Sequence, residues 1–268
     1  MNPRDRVVLV GFGAIGGTVA RMLQDRGGAG LIAAIGLRAQ SQPRADLPPG
    51  VPVLTDPGQL AGRMAGLVVE SAGREAVGPW GRAALGVGMD FAVSSVSAFA
   101  DDALLAELTA LARANGARLI IPPGALGGID ALAAAARMGL ARVDHQIVKP
   151  ARAWAGTEAE TLCDLANLPG AHCFFEGSAR EAARRFPQNA NVALIVALAG
   201  LGPDRSRASL IADPDAKGNR HRIEASGDFG TMALQFDNAV LPDNPKSSAM
   251  TALSLVRLIE NAGGHLVI

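Results

Sequence analysis

Residues 7–17 read V-V-L-V-G-F-G-A-I-G-G, an apolar run of four that stops where glycines begin. Val7–Val10 is too short for a buried helix and too rich in β-branched side chains for a loop, so it reads as a strand of a covered parallel sheet. Gly11, Gly13 and Gly16 then stand at the spacing G-x-G-x-x-G. The first glycine of such a turn permits a tight bend, the second lets a pyrophosphate approach the backbone, and the third lets the next helix pack closely on the strand. The segment 18–26 continues as a helix closed by Gly27 and Gly28, and the apolar run 31–37 completes a βαβ unit. The helix N-terminus, with Ala14 and Ile15 in its first turn, presents N–H groups to a phosphate. The stretch points to dinucleotide binding.

The same rhythm runs to about residue 122. L-I-A-A-I, G-L-V-V-E-S, D-F-A-V-S-S and A-R-L-I-I-P alternate with helical patterns over 75–86 and 101–115, as in an α/β doubly wound parallel sheet. Ligands of such sheets bind beyond the carboxyl ends of the strands. Three of those ends carry small residues: Glu70-Ser71-Ala72-Gly73, Ser94-Ser95-Val96-Ser97 and Pro122-Pro123-Gly124-Ala125. Their coincidence at one edge favours a cofactor groove, with Ala72 and Ser95 as candidate contacts. In NAD-selective sites an acidic residue about 20 positions beyond the glycines binds the ribose 2′-hydroxyl. Here the second strand ends in Leu37-Arg38, so Arg38 is expected to pair with a 2′-phosphate and the site to accept NADP as well as NAD.

After residue 122 the rhythm changes. An alanine-rich helix follows a glycine-rich turn at 124–128, and V-D-H-Q-I-V-K-P alternates like a strand with one wet face. Helices are expected over 178–186 and 191–199 and strands over 207–213, 221–227 and 231–236, the last three separated by turns that suit antiparallel pairing. This reads as a second, α+β domain with an open, mostly antiparallel sheet. The expected boundaries are 1–122, completed by a C-terminal helical segment 246–268, and 123–245.

Composition excludes several classes. The chain has 25 basic and 25 acidic residues among 268 and no long run of either sign, so neither nucleic acid nor an anionic membrane surface is an expected partner. Charges fall within the first six residues and no apolar stretch reaches about 18, so no leader or spanning helix is expected and the protein is placed in the cytoplasm. Cys163 and Cys173 read as free thiols, and no metal is expected.

Taken together, G-F-G-A-I-G, V-E-S-A-G, S-S-V-S-A-F-A-D, I-P-P-G-A-L-G-G-I-D, F-P-Q-N-A-N-V-A, the histidine of N-R-H-R-I-E and N-P-K-S-S resemble the L-aspartate dehydrogenase family over almost the whole chain. The resemblance implies a Rossmann domain, a catalytic domain that also dimerises, and a homodimer. It implies reversible NAD- or NADP-dependent oxidative deamination of L-aspartate to oxaloacetate and ammonia through iminoaspartate, which can feed NAD biosynthesis. By position it assigns Ala125 and Asn191 to the cofactor and His221 to catalysis.

Composition alone does not choose among His145, His172, His221 and His265. Imidazole suits the chemistry, because it can take a proton from the substrate ammonium or from water attacking the imine. Asn191 stands at a helix start, where it reads either as an N-cap or as a ligand of the nicotinamide end. Aspartate carries two carboxylates, so its pocket needs cationic and hydroxyl donors. Lys246, Ser247, Ser248 and Thr231 are the first candidates, with Lys149 and Arg152 behind them. The competing readings are a homoserine dehydrogenase-like or dihydrodipicolinate reductase-like enzyme and a nicotinamide-binding sensor without turnover.

Overall fold

The computed structural model describes residues 5–38, 46–241 and 244–267. The chain divides into two compact units, one built from 1–122 with 251–268 and the other from 123–250.

The first unit carries β1 (Val7–Val10), α1 (Ala14–Asp25), β2 (Ile32–Gly36), β3 (Val53–Leu54), β4 (Leu67–Glu70), α2 (Arg74–Gly86), β5 (Asp90–Val93), α3 (Asp102–Ala114) and β6 (Leu119–Ile120). All six strands run parallel in the order β3-β2-β1-β4-β5-β6. The chain winds outward in both directions from β1, so the order reverses between β1 and β4. In such a sheet the reversal opens a crevice at the carboxyl ends of those two strands. The short edge strand β3 has no counterpart among the expected strands, since two residues are too few to show a period.

Every residue of β1, β2 and β4 is buried, which is why these strands read as continuous apolar runs. Their core includes Val7, Leu9, Val19, Leu23, Ile35 and Val69 together with Ala252, Leu255, Val256 and Ile259 of the C-terminal helix Ala249–Gly263. Those four positions recur at helical spacing and form one stripe. Burying each larger side chain contributes about 1.5–3 kcal/mol. The exposed Arg26–Glu260 ion pair, at 2.5 Å, adds much less.

The second unit contains α4 (Ile129–Ala135), β7 (Leu140–Pro150), α5 (Ala159–Leu162), β8 (His172–Ser178), α6 (Ala179–Arg185), α7 (Asn191–Ala199), β9 (Arg207–Asp213), β10 (Asn219–Gly227), β11 (Gly230–Asn238), β12 (Val240–Leu241) and β13 (Asn244–Ser248). Five strands form a mixed sheet in the order β11-β10-β7-β9-β8, and β12 pairs with β13. Only β7 and β9 run parallel; the other three pairings of the five-stranded sheet are antiparallel, in keeping with the expected open, mostly antiparallel sheet. On β7, Val143, His145, Ile147 and Lys149 are buried while Arg142 and Gln146 are exposed. Helix α7 is apolar nearly all round, is buried from Val192 to Ala197, and packs against α4 and β7.

Candidate active site

In the first unit the glycine turn sits at the end of β1. Gly11 has φ +91°, and a Cβ there would lie 2.7 Å from Cα of Ala72, so both the backbone conformation and the space demand glycine. A Cβ on Gly16 would lie 2.2 Å from the carbonyl oxygen of Gly11, which is the close approach of helix to strand that the motif requires. Gly13 differs: it has ordinary φ, no side-chain cap, and nothing within 4 Å of a built Cβ. It therefore borders open space at the start of a 12-residue helix whose first N–H groups have no intrahelical partner. These residues fit a dinucleotide pyrophosphate. Ala14 and Ile15 lie in that first turn, partly exposed.

The loops after β4 and β5 are held by a carboxylate. Glu70 is wholly buried. Its Oε1 accepts from Ala72 N at 2.7 Å, Gly73 N at 2.8 Å and Ser95 Oγ at 2.9 Å, while Oε2 accepts from Ser95 N at 2.9 Å. Burial pushes the carboxyl above its ordinary range, and those four hydrogen bonds oppose the shift. Ser71 Oγ donates toward the carbonyls of Val10 and Gly11 at 3.2 and 3.3 Å. Ala72 thus lies against Gly11, whereas the hydroxyl of Ser95 is turned to Glu70. Arg38 is exposed just past β2.

In the second unit β7 and β10 bring two histidines together. His221 pairs with Ile147 across the ladder and His145 with Ile223, so the rings are diagonal neighbours on one face. His145 Nε2 lies 3.3 Å from His221 Nδ1, with ring centroids 5.4 Å apart. Both side chains are buried, and so is Lys149, whose Nζ lies 5.8 Å from the centre of the Trp154 ring. Burial lowers the pKa of His145 to about 3. His221 is held well below the ordinary value of 6.5, first by burial and then by the charges of His145 and Lys149. At neutral pH His221 is an uncharged imidazole that can accept a proton. Asn219 lies two residues from His221 along the strand and donates from Nδ2 to Ser248 Oγ at 3.0 Å, which brings β13 to this face.

The remaining candidates distribute unevenly. Ala125 is buried and its carbonyl accepts from Asn238 Nδ2 at 2.8 Å. Asn191 is the first residue of α7; the N-cap is Ala190, with no side-chain cap, so the capping reading of Asn191 is corrected. Ser247 lies on β13 beside Ser248, and the side chain of Lys246 falls outside the described residues. Thr231 pairs with Ser226 at the hairpin end of β10–β11, five positions from the His221–Phe236 pair, or about 17 Å along a strand. It is exposed and lines a surface pocket with Arg142, Glu224 and Met232, so the structure sets it apart from the histidines. Residue types alone gave no signal for the Glu70 latch or for the pairing of His145 with His221, because both arise from partners distant in sequence.

Cys163 and Cys173 are free thiols. Among the described residues, no group of three or more His, Cys, Asp or Glu is placed to hold a metal ion, and no helix is long and apolar enough to cross a membrane.

Comparison with known proteins agrees with this architecture. A family model described as aspartate dehydrogenase, C-terminal, matches residues 130–262, and one described as homoserine dehydrogenase, NAD binding domain, matches residues 11–122. An L-aspartate dehydrogenase of Brucella anthropi is 55% identical over 268 residues, covering 100% of both chains. One of Pseudomonas aeruginosa is 43% identical, covering 95% of this chain and 96% of its own. The crystal structure of aspartate dehydrogenase from Thermotoga maritima superposes with a TM-score of 0.77 at 25% identity, covering 98% of each chain.

Proposed function

The chain belongs to the L-aspartate dehydrogenase family, and on that premise we propose that it oxidises L-aspartate with NAD or NADP to iminoaspartate, which water converts to oxaloacetate and ammonia, reversibly. The observation that carries the reading to particular atoms is the buried cluster of His145, His221 and Lys149 on one face of the second sheet.

The nicotinamide, when bound, supplies the hydride acceptor; its pyrophosphate would be held by the turn of Gly11, Gly13 and Gly16, with Ala14, Ile15, Ala72 and Ser95 around it. Arg38 would meet a 2′-phosphate, and Ala125 and Asn191 would orient the nicotinamide end. Hydride can leave the aspartate α-carbon only as its nitrogen becomes an imine, so the ammonium must first lose a proton. His221 takes it at Nε2, the ring nitrogen not facing His145. Once that proton has passed to solvent, the same nitrogen removes a proton from the water that adds to the imine carbon and returns it to the amine, which leaves as ammonia while the new hydroxyl gives up its proton to form the ketone. Lys149 balances substrate negative charge, and Lys246 and Ser247 would meet the substrate carboxylates; Thr231, a further substrate candidate, lies five positions along the strand from the His221–Phe236 pair.

The same proposal includes a cytoplasmic homodimer with small molecules as its substrates, and iminoaspartate that feeds NAD biosynthesis. Light scattering after size exclusion checks the dimer. The activity is tested by consumption of NADH or NADPH with oxaloacetate plus ammonia against oxaloacetate alone. Equal rates with and without ammonia would make the enzyme a hydroxyacid rather than an amino-acid dehydrogenase.

A further inference from the structure

We infer that His145 is a positioning residue for this proton transfer: by accepting the Nδ1–H of His221 at its own Nε2, it leaves the Nε2 lone pair of His221 to meet the substrate. The inference rests on the reading of His221 as the proton-transfer residue and deepens it. His145 Nε2 lies 3.3 Å from His221 Nδ1, and both rings are almost wholly buried. The other ring nitrogen of His145, Nδ1, has no hydrogen-bond partner among the described residues.

A buried imidazole with one stranded nitrogen is a poor packing element. Leucine would fill similar space without desolvating a polar atom. What histidine provides at this position is a ring nitrogen within reach of His221.

Each neutral imidazole carries one N–H and one lone pair. If His145 donated to His221, the proton of His221 would sit on Nε2, and the substrate would face a nitrogen unable to accept. If His145 accepts, Nε2 of His221 is free to take a proton, and the imidazolium then formed keeps a partner for its Nδ1–H. Lys149, whose charge also bears on His221, has only donors and cannot play that part. The arrangement obliges His145 to carry its own proton on the stranded Nδ1. That is a cost in stability, and it supplies the signature to look for.

Nitrogen-15 spectra of the histidine-labelled full chain, assigned with His221→Ala, should show His221 protonated at Nδ1 and bare at Nε2 at neutral pH. The reverse pattern overturns the inference. His145→Leu should lose about tenfold to a hundredfold in kcat, by analogy with the loss when the partner that orients a metal-ligating imidazole is removed, with KM little changed and stability to denaturant equal to or above the wild type. His145→Gln, whose Oε1 can accept the same hydrogen bond, should recover most of that loss. Full kcat in His145→Leu overturns the role of His145 even where His221→Ala is inactive, whereas full kcat in His221→Ala removes the base itself. Should His145→Leu fail to fold, the spectra and His145→Gln decide.

Discussion

Glu70 and Ser95, at the ends of neighbouring strands β4 and β5, are joined twice: the backbone N–H and the hydroxyl of Ser95 each donate to the Glu70 carboxylate at 2.9 Å. With Ala72 and Gly73 on the same group, one buried side chain fixes two of the loops that border the nucleotide crevice. Glu70→Gln replaces one acceptor oxygen by an NH₂ group facing donors. It should cost about 1–3 kcal/mol in denaturant unfolding and weaken NAD(P) binding measured by fluorescence titration. Unchanged stability would mean that the loops are held elsewhere.

The three glycines of the turn should separate by their surroundings. Gly11→Ala and Gly16→Ala place a Cβ 2.7 Å from Ala72 and 2.2 Å from the Gly11 carbonyl, so both should lower the melting temperature. Gly13→Ala meets nothing within 4 Å. It should leave melting nearly unchanged and weaken cofactor binding, because the methyl occupies space a pyrophosphate needs.

His221→Ala should retain cofactor affinity and lose about 10²–10⁴-fold in kcat. The ordinary imidazole value of about 6.5 would place the acid limb of the wild-type profile near that pH. Burial, His145 and Lys149 hold His221 well below it, so kcat/KM of the free enzyme should stay level through pH 6.5 and fall only in more acid solution.

Arg38→Ala should weaken NADP much more than NAD, read as the ratio of the two dissociation constants. Equal losses would show that the exposed guanidinium does not meet the 2′-phosphate.

His145 also sets an acid dependence of stability. Its folded pKa of about 3 lies below the unfolded value of about 6.5, so the unfolded chain binds the extra proton. Its contribution is complete above about pH 6.5 and is lost as pH falls toward 3, by at most about 1.4 kcal/mol per pH unit. Unfolding free energies of His145→Leu, measured across that window, should fall less steeply than those of the wild type. Parallel curves would mean that His145 titrates normally.

The legible parts of this fold are those with a local physical cause. A β-branched run meeting spaced glycines announces β1 and the turn, and an acidic start with an Asn-Gly stop announces α3. The strand β8, H-C-F-F-E-G-S, has no clean alternation, and β13 contains a proline and two serines. Each becomes a strand because of its partner, β9 or β12. The site follows the same division. The glycine turn is visible in sequence, whereas Glu70 gains its role from Ser95, 25 residues on, and His145 gains its role from His221, 76 residues on. The separation of Thr231 from the His221–Phe236 pair, five positions along β10 and β11, is likewise set by a register that residue types do not announce.

Four apolar side chains of the C-terminal helix belong to the same core as β1, and the stretch 123–250 lies between them in the chain. During synthesis, therefore, β1 and its glycine turn emerge before the second unit, while the helix that covers their sheet is made only after it. A nascent chain passes through a stage in which the second unit has been fully synthesised but the face of β1 still waits for Leu255, Val256 and Ile259. That helix thus decides when a strand made well before it is shielded from water, and its loss would act as an unfolding lesion on β1.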